Sequence, residues 1–79
     1  MNLDEKRFLE SVGDRVRDLR SARKLTQAQL GEACGLHRTF IGSVERGERN
    51  LAILNLRAIA RVLRVPVADL LEETDPRAT

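Results

Sequence analysis

Arg38, Thr39, Ser43 and Arg46 recur over two helical turns of the run HRTFIGSVERGERN. Their chemistry suits the edges of DNA bases. An arginine guanidinium bridges guanine O6 and N7, a threonine methyl touches the thymine methyl, and a serine hydroxyl donates or accepts. Ile41 and Val44 lie three apart between them, so one helical face can be pinned to a core. The outward face then carries Arg38, Thr39, Gly42, Ser43 and Arg46, all small, polar or cationic, as a groove lined with acceptors and phosphates requires.

Such a helix must be held away from the body of the protein, and the segment before it has the residues for that. In TQAQLGEACGLHRTFIGSVERGER, Thr26 with Gln29 three later is a capping-box pattern for a helix over Gln27 to Cys34. Gly35 stands where the chain must reverse, with a positive φ that costs little only for glycine. Gly31 is placed where the next helix presses on this one. Leu30, Cys34, Leu36, Ile41 and Val44 point inward. Two short helices joined by so tight a turn cross steeply, and the second forms a ridge able to enter a major groove. An ordinary αα-hairpin in a small bundle remains the alternative at this point.

Periodicity predicts five helices and an all-α fold. The first spans Leu3 or Asp4 to Lys24, with Phe8, Leu9, Val12, Val16 and Leu19 as its buried stripe and Gly13 as an interruption. The third spans Arg38 to Arg46, stopped by Gly47. The fourth spans Ile53 to Leu63, with Ile53, Leu56, Ile59, Ala60 and Leu63 inward. Pro66 opens or immediately precedes a fifth helix ending at Leu71. Residues 1–73 form a single domain, and 74–79 have the composition of a disordered tail.

With 79 residues the chain is near the size at which one core just suffices, and only Phe8 and Phe40 are aromatic. Fourteen Lys+Arg against 12 Asp+Glu leave a formal charge of +2, so distribution matters more than total. Arg15, Arg17, Arg20, Arg23 and Lys24 cluster at one end, where they favour phosphate. Asp69, Glu72, Glu73 and Asp75 repel it at the other. Cys34 alone makes neither a disulfide nor a metal site and reads as a small core residue. One His, one Cys, no metal-ligand cluster, no phosphate loop and no convincing carboxylate pair argue against an enzyme and against any cofactor. No signal h-region or membrane-length apolar run is present, which predicts a cytoplasmic protein with no membrane partner.

From about Val12 to Leu71 the chain resembles the helix-turn-helix of phage repressor and Cro-type regulators, the Xre family. The resemblance rests on LRSARKLTQAQLGEACGL, IGSVERGERN and LRAIARVLRVPVADLL. GLHRTFIGSVERGERN is more specific and is similar to the controller proteins of restriction-modification systems. The resemblance implies a five-helix phage-repressor-like domain. It also implies a homodimer on a short two-fold symmetric operator in double-stranded DNA. For controllers it adds regulation of their own promoter, where RNA polymerase is a further candidate partner. Arg38, Thr39, Ser43 and Arg46 would then read bases. Thr26, Gln27, His37, Arg49 and Asn50 would meet the phosphate backbone, with capping the competing role for His37 and turn chemistry for Asn50. The family pattern also pairs Arg20 with Glu45, tying the first helix to the reading helix.

Phe40 departs from the tyrosine common in controllers and loses a hydroxyl contact to phosphate. Lys24 and Arg64 stand where many relatives have a helix-ending glycine, and Ala52 where a Ser or Thr commonly caps the fourth helix. Leu51, Ile53, Val65, Val67 and Leu70 exceed the needs of one small core and are candidate dimer contacts. A phage-like repressor or antitoxin-type regulator would carry the same reading head. A protein-interaction adaptor of the same fold would instead show no preferred palindrome.

Overall fold

A computed structural model describes residues 1–73, so the expected tail over 74–79 lies outside the described residues. Five helices follow one another: α1 Leu3–Ala22, α2 Gln27–Cys34, α3 Arg38–Glu45, α4 Ile53–Leu63 and α5 Val67–Leu71. Val16, Leu30, Ile41, Val44, Leu56, Ile59, Ala60, Leu63 and Leu70 converge from all five into one core, with Cys34 and Leu36 half-buried against it. Burial pushes the Cys34 thiol above its ordinary pKa.

The helices stop in a common way. At the ends of α1 to α4 a residue with positive φ closes the helix: Lys24 (58°), Gly35 (73°), Gly47 (74°) and Arg64 (59°). The amide of the residue after it reaches back five positions, from Leu25 to Arg20, Leu36 to Gly31, Glu48 to Ser43 and Val65 to Ala60. Together with the shorter bond from the positive-φ residue's own amide to the carbonyl three residues back, this bond satisfies carbonyls that a helix end leaves open, and of the residues that follow, Leu36 and Val65 pack against the core. Two of the four ends do without glycine, at a strain on the order of 1 kcal/mol each. The left-handed Lys24 is also why α1 ends at Ala22, two residues before the expected boundary. α2 begins with the expected capping box. Thr26 Oγ1 accepts the Gln29 amide at 3.0 Å, and Gln29 Oε1 accepts the Thr26 amide at 2.8 Å. Ala52 provides no side-chain cap for α4.

Two expectations fail here. Leu70 is 0% exposed and belongs to the core, so it is no dimer contact; α5 is short and turns that side chain under α1 and α4. Ile53 does not point inward: it is 74% exposed at the first position of α4, where the helix has not yet reached the core. Leu54 beside it is 65% exposed. Leu51, Val65 and Val67 are half-buried against the core.

At Gly31 a Cβ would collide with the Leu36 carbonyl oxygen in the turn and come within 3.3 Å of the Arg38 nitrogen, so the close approach falls on the turn and the first residue of α3. Gly13 explains the interruption in the first helix, because α3 ends directly on it. A Cβ at Gly13 would meet the Val44 and Glu45 carbonyl oxygens, the latter at 2.6 Å, both backbone atoms with little freedom to yield. Helix propensity alone would make Gly13→Ala stabilising by about 0.5–1 kcal/mol. We expect the reverse, a lower melting temperature by circular dichroism; a higher one would mean that α3 can retreat from α1.

Candidate nucleic-acid interface

The exposed helix is oriented by one buried carboxylate. Glu45, the last residue of α3, is 3% exposed and its carboxylate accepts hydrogen bonds from two other helices. Arg20 Nε and Nη2 of α1 donate to its two oxygens at 2.6 and 3.0 Å, and Gln27 Nε2 at the start of α2 donates at 3.0 Å. Arg20 Nη1 continues to the Leu25 carbonyl at 2.7 Å, fastening the loop between α1 and α2. Hydrogen bonding to Glu45 raises the Arg20 pKa above its ordinary value against an opposing push from burial. Arg17 Nη2 donates to the Glu45 carbonyl at 3.0 Å, satisfying an open acceptor at the end of α3.

With α3 fixed in this way, Arg38 and Thr39 are exposed in its first turn and Arg46 just past its last residue. Arg38 occupies the first helical position. His37 caps the helix: its Nδ1 accepts the Thr39 amide at 3.1 Å and lies 2.8 Å from Thr39 Oγ1. The capping role considered for His37 is therefore the one its ring performs, and the Thr39 hydroxyl is occupied by it. Arg46 pairs with Glu48 at 3.1 Å, both more than half exposed, an ion pair of little energetic consequence. Gly42 lies between Arg46 and Gln27. A Cβ there would come within 3.1 Å of Arg46 Nη1 and 3.5 Å of Gln27 Oε1, so glycine keeps a notch open between those two side chains.

Ser43 is not on the outward face. It is 9% exposed, donates its hydroxyl to the Phe40 carbonyl at 2.7 Å and accepts from Arg49 Nε at 3.1 Å. The chain reverses at Gly47 and lays Arg49 over this part of α3, which helical periodicity alone does not reveal. The Arg49 guanidinium sits 5.0 Å from the centroid of the Phe40 ring. Asn50 lies further round, lining a cleft with Met1, Asp4, Phe8 and Leu9 of the first helix and its approach. Thr26 and Gln27 are exposed at the start of α2, but the Thr26 hydroxyl holds the capping box and the Gln27 amide holds Glu45.

The basic cluster is also redistributed. Arg15 donates to the Asp69 carbonyl at 2.9 Å and pairs with Glu72 at 3.1 Å, while Arg23 Nε donates to the Leu63 carbonyl at 2.9 Å. With Arg17 and Arg20, these side chains stitch helix ends together. Among the described residues no three His, Cys, Asp or Glu side chains gather as a metal site, and no helix is long and apolar enough to cross a membrane.

The sequence model of the helix-turn-helix family matches residues 16–70, covering the core, the α2–α3 pair and α5. The chain belongs to the helix-turn-helix family. It is a DNA-binding transcriptional regulator of that family, with α2 and α3 as the two helices of the motif. It is 47% identical over 62 residues to control protein C.SmaI of Serratia marcescens, a match covering 78% of this chain and 74% of that protein. Its identity to control protein C.BamHI of Bacillus amyloliquefaciens is 41% over 63 residues, covering 78% of each. Among solved structures it is similar to the restriction-modification controller protein C.AhdI from Aeromonas hydrophila. That likeness has a TM-score of 0.76 and 39% identity, covering 78% of this chain and 94% of that one.

Glu45→Ala removes a buried acceptor shared by three donor nitrogens and leaves the partly buried Arg20 cation without its partner. Breaking such a pair costs about 3–5 kcal/mol. Urea unfolding monitored by circular dichroism should show a loss of that size; a loss below about 1 kcal/mol would mean that the carboxylate does not hold the helix-turn-helix together.

Proposed function

We propose that this chain is a controller-type regulator rather than an enzyme, binding a two-fold symmetric operator as a homodimer and regulating its own promoter in the cytoplasm. The observation that carries the reading is the exposed array of Arg38, Thr39 and Arg46 on a helix whose orientation Glu45 fixes. Relatives of nearly the same extent, named as control proteins, support the controller assignment.

In this reading α3 lies in the major groove. Arg38, at the helix start, bridges a guanine. Thr39, its hydroxyl occupied by His37, offers its methyl to a thymine, and Arg46 reaches a base or the adjoining phosphate. The α2 N-terminus, with Thr26 and Gln27, and Arg49 beyond α3 bracket the backbone on either side. One such helix covers few base pairs. Two related by symmetry, roughly 34 Å apart, double the contacts and multiply the discrimination.

Ile53 and Leu54 supply an exposed apolar surface for the pairing, with the half-buried Leu51 two residues before Ile53. Selection of bound duplexes from a random pool should return a site with two-fold symmetry. Ile53→Asp should shift sedimentation toward the monomer and weaken binding to that site by tenfold or more, on the order of 1.4 kcal/mol. A selected site without symmetry, or a variant still dimeric with unchanged affinity, would remove the dimer from the reading.

A further inference from the structure

Arg49 differs from the other arginines in what is done to it. Its Nε donates to Ser43 Oγ at 3.1 Å, and its guanidinium lies 5.0 Å from the Phe40 ring centroid. The Ser43 hydroxyl proton goes to the Phe40 carbonyl at 2.7 Å, so the oxygen is oriented as an acceptor for Arg49. The plane and one edge of the guanidinium are therefore both held, by two residues of α3 one turn apart. Among the described residues its two terminal nitrogens make no hydrogen bond, and Arg49 as a whole is exposed. A fixed fork with two unengaged donors matches the two oxygens of a phosphate.

We infer that Phe40 and Ser43 are positioning residues that preorganise Arg49 as a bidentate phosphate clamp beside the reading helix. The inference rests on the DNA-binding mode proposed above. It gives Ser43 a role in DNA binding without contact to a base. It also accounts for phenylalanine at position 40: the ring face carries the cation, and a hydroxyl is not needed for that. An arginine held in its bound rotamer loses less freedom when phosphate arrives, so the clamp acts on affinity without adding a phosphate contact of its own.

The test is a double-mutant cycle on the tightest duplex recovered from a random pool, with dissociation constants measured across salt concentrations. Arg49→Ala should lower the slope of log affinity against log salt by roughly 0.9, as loss of one phosphate contact requires. Ser43→Ala should keep the wild-type slope and weaken binding about two- to tenfold. In the Arg49→Ala background it should do nothing. Phe40→Leu should behave as Ser43→Ala does, and Phe40→Tyr as wild type. In the DNA-free protein the Arg49 Nε–H proton should exchange slowly with solvent by NMR and lose that protection in Ser43→Ala, whose melting temperature checks that it remains folded. Equal weakening by Ser43→Ala in both backgrounds, or none in either, would overturn the positioning role. An unchanged salt slope in Arg49→Ala would instead overturn the phosphate contact on which it rests, as would failure to recover any duplex.

Discussion

The buried Glu45 carboxylate is the interaction on which the orientation of α3 depends. Apolar packing at Ile41 and Val44 holds α3 against the core, but such contacts are non-directional and tolerate rotation about the helix axis. Hydrogen bonds from Arg20 and Gln27 to the two oxygens of Glu45 do not. They arrive from α1 and α2 and fix which residues of α3 face outward. The position is an unfavourable one for an anion, both buried and at the negative end of a helix. Only the donors gathered there make it tolerable, and those donors are the beginning of α2 and the end of α1. A pair of this kind contributes orientation more than net stability.

The same logic extends to the other arginines. Arg15, Arg17 and Arg23 each donate to a backbone carbonyl at the end of a helix or within a neighbouring one, and so do work that the backward-bonded turns leave undone. Their charge is largely committed within the protein. Arg38, Arg46 and Arg49 are exposed on or just beyond α3, with Arg46 also paired to Glu48.

Much of this was legible in the residues because it is local. The apolar spacing of Val16, Leu30, Ile41 and Val44 located the core, Thr26 with Gln29 located the start of α2, and Gly35 located the turn. What was not legible depends on contacts between distant segments. Helical periodicity places Ser43 on the outer face because nothing in it shows that the chain will reverse at Gly47 and place Arg49 over it. Periodicity says that Leu70 is apolar and one-sided, not whether the core or a partner receives it. Gly13 reads as a weak point in α1 because the sequence does not show that α3 ends on it. The arginines looked like a phosphate-binding cluster because a long side chain reaching a carbonyl 40 residues away, as Arg23 does, leaves no mark in its neighbours.

The claim that α3 is a major-groove reading helix meets its most direct test in methylation interference with dimethyl sulfate on the bound operator. That reagent marks guanine N7 in the major groove and adenine N3 in the minor groove. The account predicts interference by guanine N7 methylation in two clusters about 10 base pairs apart on one face of the duplex, with little effect of adenine N3 methylation. Interference confined to adenine N3, or none at either position, would contradict it.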